Sequence, residues 1–175
     1  IIIRNIENTY DKEINNAIKI LTSNGTRKKN IVIFQCTSSY PTPNEDANLN
    51  VINTFKVNYF GTLNCVKSVE NYFKQKKNGQ IAIVSSPVGY RGLPKSSGYS
   101  PSKAALNNLT QGIYFDFKKF NVRVNLISPG FIKTQLTDKN EFPMPFLRSA
   151  EYAADKIFYG LQKKNFEIIF PPQIA

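Results

Sequence analysis

Short apolar runs alternate along this chain with longer stretches in which apolar residues recur at helical spacing. Residues 10–22 carry Ile14, Ile18 and Leu21 on one face, which is typical of an amphipathic helix. Residues 31–36 read IVIFQC, an apolar run typical of a buried strand. The predicted strands are residues 31–36, 81–85, 122–128 and 166–170, and the predicted helices are residues 10–22, 45–76 (as one or two helices), 99–119 and 149–162.

The order of these elements indicates the architecture. Strands and helices alternate, and the strands are rich in β-branched residues along nearly their whole length. This combination is typical of a parallel sheet with helices on both faces. The predicted fold class is therefore α/β, with a doubly wound parallel sheet in a single domain. In such sheets ligands bind beyond the carboxyl ends of the strands, so the residues that follow each strand are the candidates for chemistry.

Composition is ordinary for a globular chain, but the charge is not. The 175 residues suffice for one domain with a core, and 41% of them are hydrophobic. The formal net charge of +11 raises the alternative of a nucleic-acid or anionic-membrane partner. The basic residues form short scattered groups, such as residues 27–29 and 76–77, at predicted helix ends and loops. We therefore expect no nucleic-acid partner, and no apolar run approaches the ~20 residues of a transmembrane segment.

Cysteine and histidine usage narrows the possible chemistry. Cys36 and Cys65 are the only cysteines, too few for a disulfide framework or a zinc site, and no metal site is expected. This usage fits a reducing, cytoplasmic setting. The chain has no histidine, which excludes a Ser-His-Asp hydrolase. Acid–base chemistry must therefore rest on Tyr, Lys, Asp, Glu or Cys.

One histidine-free acid–base pair lies at the start of the longest uninterrupted predicted helix. The strand at 81–85 runs into Ser86 and a Gly- and Pro-rich loop, which ends at Tyr99, four residues before Lys103. Residues four apart share one helix face. A cation beside a tyrosine favours the phenolate and lowers the pKa of the phenol from about 10. Tyr99 and Lys103 are thus a candidate acid–base unit, and the Ser86 hydroxyl is a candidate for holding a substrate oxygen.

By itself this spacing more often means a packed tyrosine beside a solvated lysine, but its context resembles a known family. Residues 81–106 (IAIVSSPVGYRGLPKSSGYSPSKAAL) resemble the active-site segment of the short-chain dehydrogenase/reductase family, in which the catalytic serine precedes the tyrosine by thirteen positions, as Ser86 precedes Tyr99. Residues 56–61 resemble the family's asparagine-bearing helix motif, and residues 123–130 resemble the strand and Pro-Gly turn after the catalytic helix. The final strand with its two prolines also fits.

The resemblance implies a Rossmann-like doubly wound parallel sheet and an NAD(P)-dependent oxidoreductase that interconverts a carbonyl and a secondary alcohol. It implies Tyr99 as general acid/base, Lys103 as the residue that holds the nicotinamide ribose, and Ser86 as the residue that orients the substrate oxygen. Asn58 would complete the catalytic set by supporting a water that leads to Lys103. The implied cofactor is NADP or NAD, with a lean toward NADP. The implied cofactor-binding residues are Gln35, Cys36, Thr37, Tyr99, Lys103, Pro129, Gly130, Ile132 and Thr134.

The chain departs from the family pattern in two places. The family opens with a strand and a Gly-rich turn whose backbone amides cradle the cofactor pyrophosphate, and nothing here resembles that turn. Gly25 follows a predicted helix instead, and we interpret it as a C-terminal cap. We therefore expect a sheet that is incomplete at the N-terminus, in a domain truncated at both ends. The second departure is residues 34–37, which read FQCT where the family has Asn-Asn-Ala-Gly.

Three other functions are weighed against this one. An epimerase or dehydratase of the extended family shares the Tyr and Lys, but residues 56–61 and 128–130 favour the dehydrogenase branch. A non-catalytic relative that acts as a binding or interaction module is supported by the missing phosphate-binding turn and opposed by the intact set of four catalytic residues. A nucleic-acid binder is supported by charge alone.

The sequence gives weaker indications of the substrate and of the oligomeric state. The apolar residues 142–146 lean toward a lipophilic carbonyl or alcohol as substrate, although they fit packing against a neighbouring helix equally well. The resemblance implies a homodimer or homotetramer formed through the helices at 50–75 and 99–119. Phe73, Phe115 and Phe117 are candidates for that seam or for the core.

Overall fold

The structure, a computed structural model, describes residues 2–3, 19–20, 22–23, 25, 33–34, 47–135, 137–163 and 165–174. Its strands are β1 (Ile2–Ile3), β2 (Ile33–Phe34), β3 (Gly79–Val84), β4 (Val122–Pro129) and β5 (Glu167–Phe170). Its helices are α1 (Ala47–Phe55), a π-helical segment (Lys56–Gly61), α2 (Thr62–Lys76), α3 (Tyr99–Lys118) and α4 (Ala150–Gln162). Short 3₁₀ turns lie at Pro87–Gly89, Thr137–Lys139 and Pro172–Ile174.

Parallel pairing of the strands confirms the predicted α/β class. β3, β4 and β5 form one sheet in that order, with Ile81 opposite Val124 and Ile127 opposite Ile168. β1 and β2 also pair in parallel. The connections between β3, β4 and β5 pass through α3 and α4, since parallel neighbours require a crossover.

One face of the three-stranded sheet packs against α2 and α3. Every second residue of β3 and of β4 points to this side, as the two-residue period of a strand requires. Leucine, isoleucine and phenylalanine side chains of the two helices close over them. The buried members of this cluster are Val66, Phe73, Ile81, Ile83, Leu106, Ile113, Phe117, Val122 and Val124.

The opposite face packs against α4, so β4 is buried on both sides. The cluster there contains Ala82, Ile127, Ala153, Ile168 and Phe170. This double burial explains why β4 reads as a nearly continuous apolar run.

β4 also contains a buried amide, that of Asn125, which is 3% exposed. Its Nδ2 donates to the Asn165 carbonyl at 2.7 Å, and its Oδ1 accepts from Gln80 Nε2 at 2.7 Å. A buried amide is tolerated when it is hydrogen-bonded in this way.

Within the predicted helical region at 45–76, the described residues 47–76 form a single helical run whose middle is π-helical. α1, the π-helical segment and α2 follow one another without a break, and Asn58 lies in the π-helical segment. A π turn holds one extra residue, which rotates the following residues relative to a regular α-helix. The Thr62 hydroxyl donates to the Asn58 carbonyl at 2.7 Å within this turn.

Only part of the predicted N-terminal region lies among the described residues. Residues 19–20 and 22–23 are helical, in agreement with a helix at 10–22. Gly25 has φ of 87°, and its amide donates to the Thr22 carbonyl at 3.1 Å, as expected of a glycine cap. Residues 33–34 are the described part of the predicted strand at 31–36. No helix in the described part of the chain is both long and apolar enough to span a membrane.

We predict that Gly160→Ala and Gly112→Ala change stability in opposite directions, although both glycines lie inside helices. A methyl group at Gly160 of α4 would lie 2.7 Å from Ile168 Cγ2 of β5, and such overpacking costs about 1–3 kcal/mol. A methyl group at Gly112 of α3 meets nothing within 4 Å, so alanine should stabilise that helix by about 1 kcal/mol. Free energies of unfolding from urea titrations check this. Equal stabilisation by both substitutions would contradict the close packing of α4 on β5.

Candidate active site

Tyr99 and Lys103 lie on the first turns of α3, directly beside the end of β3. Tyr99 is the first residue of the helix, and Lys103 Nζ lies 5.4 Å from the centroid of the Tyr99 ring. Lys103 is 1% exposed, and its ammonium donates to the Val84 carbonyl at 3.3 Å. The Ser85 hydroxyl donates to the Lys103 carbonyl at 3.1 Å, which holds the strand end against the helix. The predicted one-turn pairing of Tyr99 with Lys103 is therefore present.

Ser86 begins the loop that joins β3 to α3. It is 8% exposed, and its hydroxyl oxygen accepts a long hydrogen bond of 3.5 Å from the Val88 amide. The loop then passes very close to α3 at Gly89, where a Cβ atom would lie 2.9 Å from the Lys103 carbonyl oxygen. Only glycine fits without displacing backbone, so Gly89 fixes the path of the loop that carries Ser86.

Asn58 reaches the same helix from the π-helical segment. It is 1% exposed, and its Nδ2 donates to Ser102 Oγ at 2.9 Å. The Ser102 hydroxyl in turn donates to the Tyr99 carbonyl at 2.7 Å. Asn58 Oδ1 is buried and has no hydrogen-bond partner among the described residues. Asn58 thus contacts the backbone of the Tyr99–Lys103 turn through Ser102 and leaves one buried acceptor free.

A cavity of about 800 Å³ opens at the carboxyl ends of β3 and β4 and extends along β5, where Glu167 and Ile169 line it. Its wall contains Ser86, Tyr99 and Lys103, whereas Asn58 lies behind that wall. Most of the remaining lining is apolar. The apolar lining residues are Val84, Pro87, Val88, Leu93, Pro129, Phe131, Ile132, Pro145, Ile169 and Ile174.

The predicted cofactor-binding residues after β4 line this cavity as well. Pro129 ends the strand, and the Gly130 amide donates to the Phe170 carbonyl at 2.8 Å. Ile132 and Thr134 follow, and the Thr134 amide donates to Thr137 Oγ1 at 2.7 Å. The structure therefore brings Pro129, Gly130, Ile132 and Thr134 to the same cavity as Tyr99 and Lys103.

The predicted cofactor-binding residues Gln35, Cys36 and Thr37 lie outside the described residues. The structure makes no statement about their contacts, and their assignment stays a prediction.

Sequence reasoning missed a polar cluster on the same cavity wall. The Tyr90 hydroxyl donates to Glu167 Oε1, and the buried Ser128 hydroxyl donates to the same oxygen at 3.2 Å. Partial burial raises the pKa of Tyr90 to about 12, and its hydrogen bond to Glu167 and the negative charge of Glu167 act in the same direction. Tyr90 and Glu167 are 77 positions apart, and no spacing motif joins them.

Known proteins that resemble this chain belong to the family that residues 56–61, 81–106 and 123–130 resemble. The family model of short chain dehydrogenases matches residues 7–143. An uncharacterized oxidoreductase of Myxococcus xanthus is 36% identical over 118 residues, which are 67% of this chain and 47% of that protein. The NADPH-dependent 1-acyldihydroxyacetone phosphate reductase of Saccharomyces cerevisiae is 36% identical over 89 residues, covering 51% of this chain and 30% of that protein. The chain thus spans about half or less of the length of these relatives.

Solved structures show the same fold. A short chain dehydrogenase from Burkholderia cenocepacia in complex with NADP aligns with a TM-score of 0.71 at 23% identity, over 94% of this chain and 70% of that one. A 4-hydroxyisoleucine dehydrogenase complexed with NADH and succinate aligns with a TM-score of 0.68 at 22% identity, over 94% of this chain and 76% of that one. These likenesses confirm a Rossmann-like α/β fold. With the family model matching most of its length, the chain belongs to the short-chain dehydrogenase family.

Proposed function

We propose that this chain carries the catalytic part of an NAD(P)-dependent oxidoreductase that interconverts a carbonyl and a secondary alcohol, with Tyr99 as general acid/base. The observation that carries the proposal is the convergence of Ser86, Tyr99 and Lys103 on one cavity beyond the carboxyl end of β3. Family membership and the reductase and oxidoreductase names of the relatives support the same class of reaction.

The proposed mechanism assigns one task to each of these side chains. In the reductive direction Tyr99 gives its phenolic proton to the substrate oxygen, and in the oxidative direction it takes that proton back. The buried ammonium of Lys103 beside the ring stabilises the negative charge that develops on the phenol oxygen. Ser86 donates a hydrogen bond to the substrate oxygen and so holds it within reach of Tyr99.

Asn58 is proposed to act from behind the cavity wall. Its bond to Ser102, which itself bonds to the Tyr99 carbonyl, supports a role in fixing the first turn of α3. Its free Oδ1 is a buried acceptor, and buried acceptors of this kind commonly bind an ordered water. Such a water would extend the hydrogen-bond path from Asn58 toward Lys103.

The residues along the cavity fit a nicotinamide group. Lys103 supplies a donor for a ribose hydroxyl, Pro129, Gly130 and Ile132 supply an apolar wall for a flat ring, and Thr134 supplies a hydroxyl and an amide. The bound nicotinamide would supply or accept the hydride. We favour NADP because the yeast relative is named NADPH-dependent and the Burkholderia structure holds NADP, although the 4-hydroxyisoleucine dehydrogenase holds NADH.

The apolar wall of the cavity supports a lipophilic substrate. Residues such as Val88, Leu93, Phe131 and Ile169 present hydrocarbon to the space beyond Ser86. Burial of apolar surface stabilises binding by about 25 cal/mol per Å² before ordering costs are counted. Pro145, from the apolar segment 142–146, also lines the cavity, which supports substrate contact over mere packing as the role of that segment.

Exposed apolar side chains support the expected homodimer or homotetramer. Of the three candidate phenylalanines, Phe73 and Phe117 are buried in the core, whereas Phe115 on α3 is 71% exposed. Ile52 and Phe60 are also more than half exposed on the helical run 47–76, the other element of the proposed seam.

The first test is a titration of this chain with NADPH and NADH, followed by nicotinamide fluorescence. Saturable binding of both nucleotides is expected because Lys103, Pro129–Ile132 and Thr134 form one lining for the nicotinamide that they share. Tighter binding of NADPH is expected from the names of the yeast relative and the Burkholderia structure. Absence of binding to either nucleotide would reject the enzyme function for this chain and favour a binding or interaction module.

We predict that Tyr99→Phe lowers kcat by at least about 100-fold and leaves nucleotide affinity within about twofold, because the hydroxyl that transfers the proton is lost while the ring is kept. Tyr114→Phe on the same helix is the matched control, since Tyr114 packs on Phe166 and lies outside the cavity lining. Steady-state kinetics and the fluorescence titration measure both effects. Unchanged turnover in Tyr99→Phe would reject Tyr99 as the general acid/base.

A long-chain ketoester is expected to be reduced more efficiently than a small polar ketone, because it buries more apolar surface in the cavity. The comparison uses kcat/KM for the two ketones with the same cofactor. A higher value for the small polar ketone would reject a lipophilic substrate.

We further predict that Phe115→Asp weakens self-association, because a carboxylate would replace an apolar contact in the proposed seam. Sedimentation velocity of the wild type and the variant measures the mass of the assembly. Tyr159→Asp is the control, since Tyr159 is 59% exposed on α4, away from that seam. An assembly that survives Phe115→Asp and dissociates in the control would place the interface elsewhere.

A further inference from the structure

Tyr90 and Glu167 interrupt the apolar wall of the cavity, and Ser128 contacts Glu167 from outside the lining. Tyr90 belongs to the loop that follows Ser86, Ser128 lies near the end of β4, and Glu167 is the first residue of β5. Two hydroxyls donate to one oxygen of the carboxylate, Glu167 Oε1. Ser128 is fully buried, so its hydroxyl approaches the carboxylate from the protein interior. The two hydrogen bonds together fix the orientation of the carboxylate.

The second oxygen of this carboxylate is available to a ligand. Among the described residues, Glu167 Oε2 accepts no hydrogen bond and Glu167 forms no salt bridge, although Arg91 lines the same cavity. Glu167 is partly exposed and contributes to the cavity wall. Glu167 Oε2 is not among the buried polar atoms and is accessible to water, so a ligand that displaces this water without bringing a donor leaves the oxygen unsatisfied. A substrate that brings a donor to this point would therefore gain affinity.

The cluster lies at a distance from the reacting end of the cavity. Ser86 follows β3, Glu167 lies on β5, and β4 runs between them. Two strand spacings, roughly 10 Å across the sheet, separate β3 from β5, and Glu167 lies level with Ile83, three residues before Ser86. Apolar side chains, including Val88 and Ile169, line the cavity between the two ends.

The electrostatics of the cavity favour a neutral donor over a cationic one. Lys103 and Arg91 already place positive charge on the wall, and a buried ammonium loses far more hydration free energy than a hydroxyl does. A hydroxyl can donate to Glu167 Oε2 without that cost, and a hydrogen bond to a charged acceptor is worth more than one between neutral groups. A substrate carboxylate at the same point would face repulsion from Glu167.

We propose that Glu167, oriented by Tyr90 and Ser128, is a specificity-determining residue that selects lipophilic carbonyl substrates bearing a hydroxyl at least roughly 10 Å from the reacting carbon. The proposal rests on the proposed oxidoreductase function. It adds a second recognition point to the one at Ser86 and Tyr99. The complementary substrate is a medium-chain ketone or its alcohol with a hydroxyl near the far end of the chain.

The cluster also has a structural role that must be separated from selectivity. The Tyr90–Glu167 bond ties the loop after Ser86 to β5, so loss of Glu167 would disturb turnover of every substrate alike. Glu167→Gln keeps an acceptor for Tyr90 and Ser128 and removes the charge. A purely structural role therefore predicts equal changes for all substrates, whereas selectivity predicts a change that depends on the far end of the substrate.

The experiment compares three ketones of equal chain length: decan-2-one, 10-hydroxydecan-2-one and 9-oxodecanoate. For the wild type we expect kcat/KM for the hydroxyketone to exceed that for decan-2-one by about tenfold, the size of one charge-assisted hydrogen bond. In Glu167→Gln this ratio should fall to about twofold, and the ratio of kcat/KM for 9-oxodecanoate to that for decan-2-one should rise, whatever change all three ketones share. Glu141→Gln is the matched control, because Glu141 is exposed and lies outside the cavity lining.

The possible outcomes separate this inference from the proposed function. Turnover of all three ketones with the same preference in wild type and Glu167→Gln overturns the inference and leaves the oxidoreductase function intact. A wild-type preference for 9-oxodecanoate also overturns it, since Arg91 and Lys103 would then dominate the far end. If no ketone is turned over, the oxidoreductase function fails, and calorimetric binding of the hydroxyketone and decan-2-one decides the inference. A preference for the hydroxyketone that Glu167→Gln removes supports it, and equal binding overturns it.

A folding defect in Glu167→Gln would be detected by circular dichroism. Tyr90→Phe then serves as the second variant, because it removes one of the two hydroxyls that orient the carboxylate and retains the ring. A reduced ratio of kcat/KM for the hydroxyketone to that for decan-2-one in Tyr90→Phe supports the inference. An unchanged preference in that variant overturns the proposed orienting role of Tyr90.

Discussion

The arrangement at the carboxyl end of β3 depends on the burial of the Lys103 ammonium beside Tyr99. An ammonium that is 1% exposed requires polar partners nearby, since desolvation of a charge is expensive. The Val84 carbonyl meets it from the end of β3, so that strand must end against the first turns of α3. The Ser85 hydroxyl and the absence of a side chain at Gly89 allow strand, loop and helix to approach this closely.

The same constraint propagates outward along two routes. Through Ser102, the first turn of α3 is tied to Asn58, and the π-helical segment presents that asparagine to the helix. β4 pairs with both β3 and β5, and the register of the parallel strands leaves the strands little freedom to slide. The position of β5 therefore depends on that of β3. Gly160 permits α4 to approach β5 closely on the opposite face. The cavity at the top of the sheet is thus bounded by elements whose positions depend on one another.

The cavity has two polar ends and an apolar middle. One end holds Ser86, Tyr99 and Lys103, the residues of the proposed proton transfer, and the other holds Glu167 with its two hydroxyl partners. Apolar walls contribute to the affinity for a ligand but do not fix its orientation, because the hydrophobic effect is not directional. The polar groups at the two ends fix the orientation of the ligand. The residues proposed for catalysis and the residue proposed for substrate selection thus line the same cavity.

The chain's own sequence determined the features that depend on local spacing. Alternating apolar runs and helical periods predicted the α/β sheet, because strands buried on both faces and helices buried on one face differ in their period. The pairing of Tyr99 with Lys103 was predictable because residues four apart on a helix share one face. Ser86 was predictable from its place directly after a buried strand.

Only the tertiary structure decided the contacts between residues far apart in the chain. The bond of Asn58 to Ser102 spans 44 positions and that of Tyr90 to Glu167 spans 77, and no short-range pattern encodes such pairs. Nor does periodicity distinguish Phe117, which is 3% exposed, from Phe115, which is 71% exposed, because both occur in one apolar-rich stretch. Packing of the whole sheet and its helices selects these partners, since each pair is brought together by strand register and helix docking rather than by its neighbours in sequence.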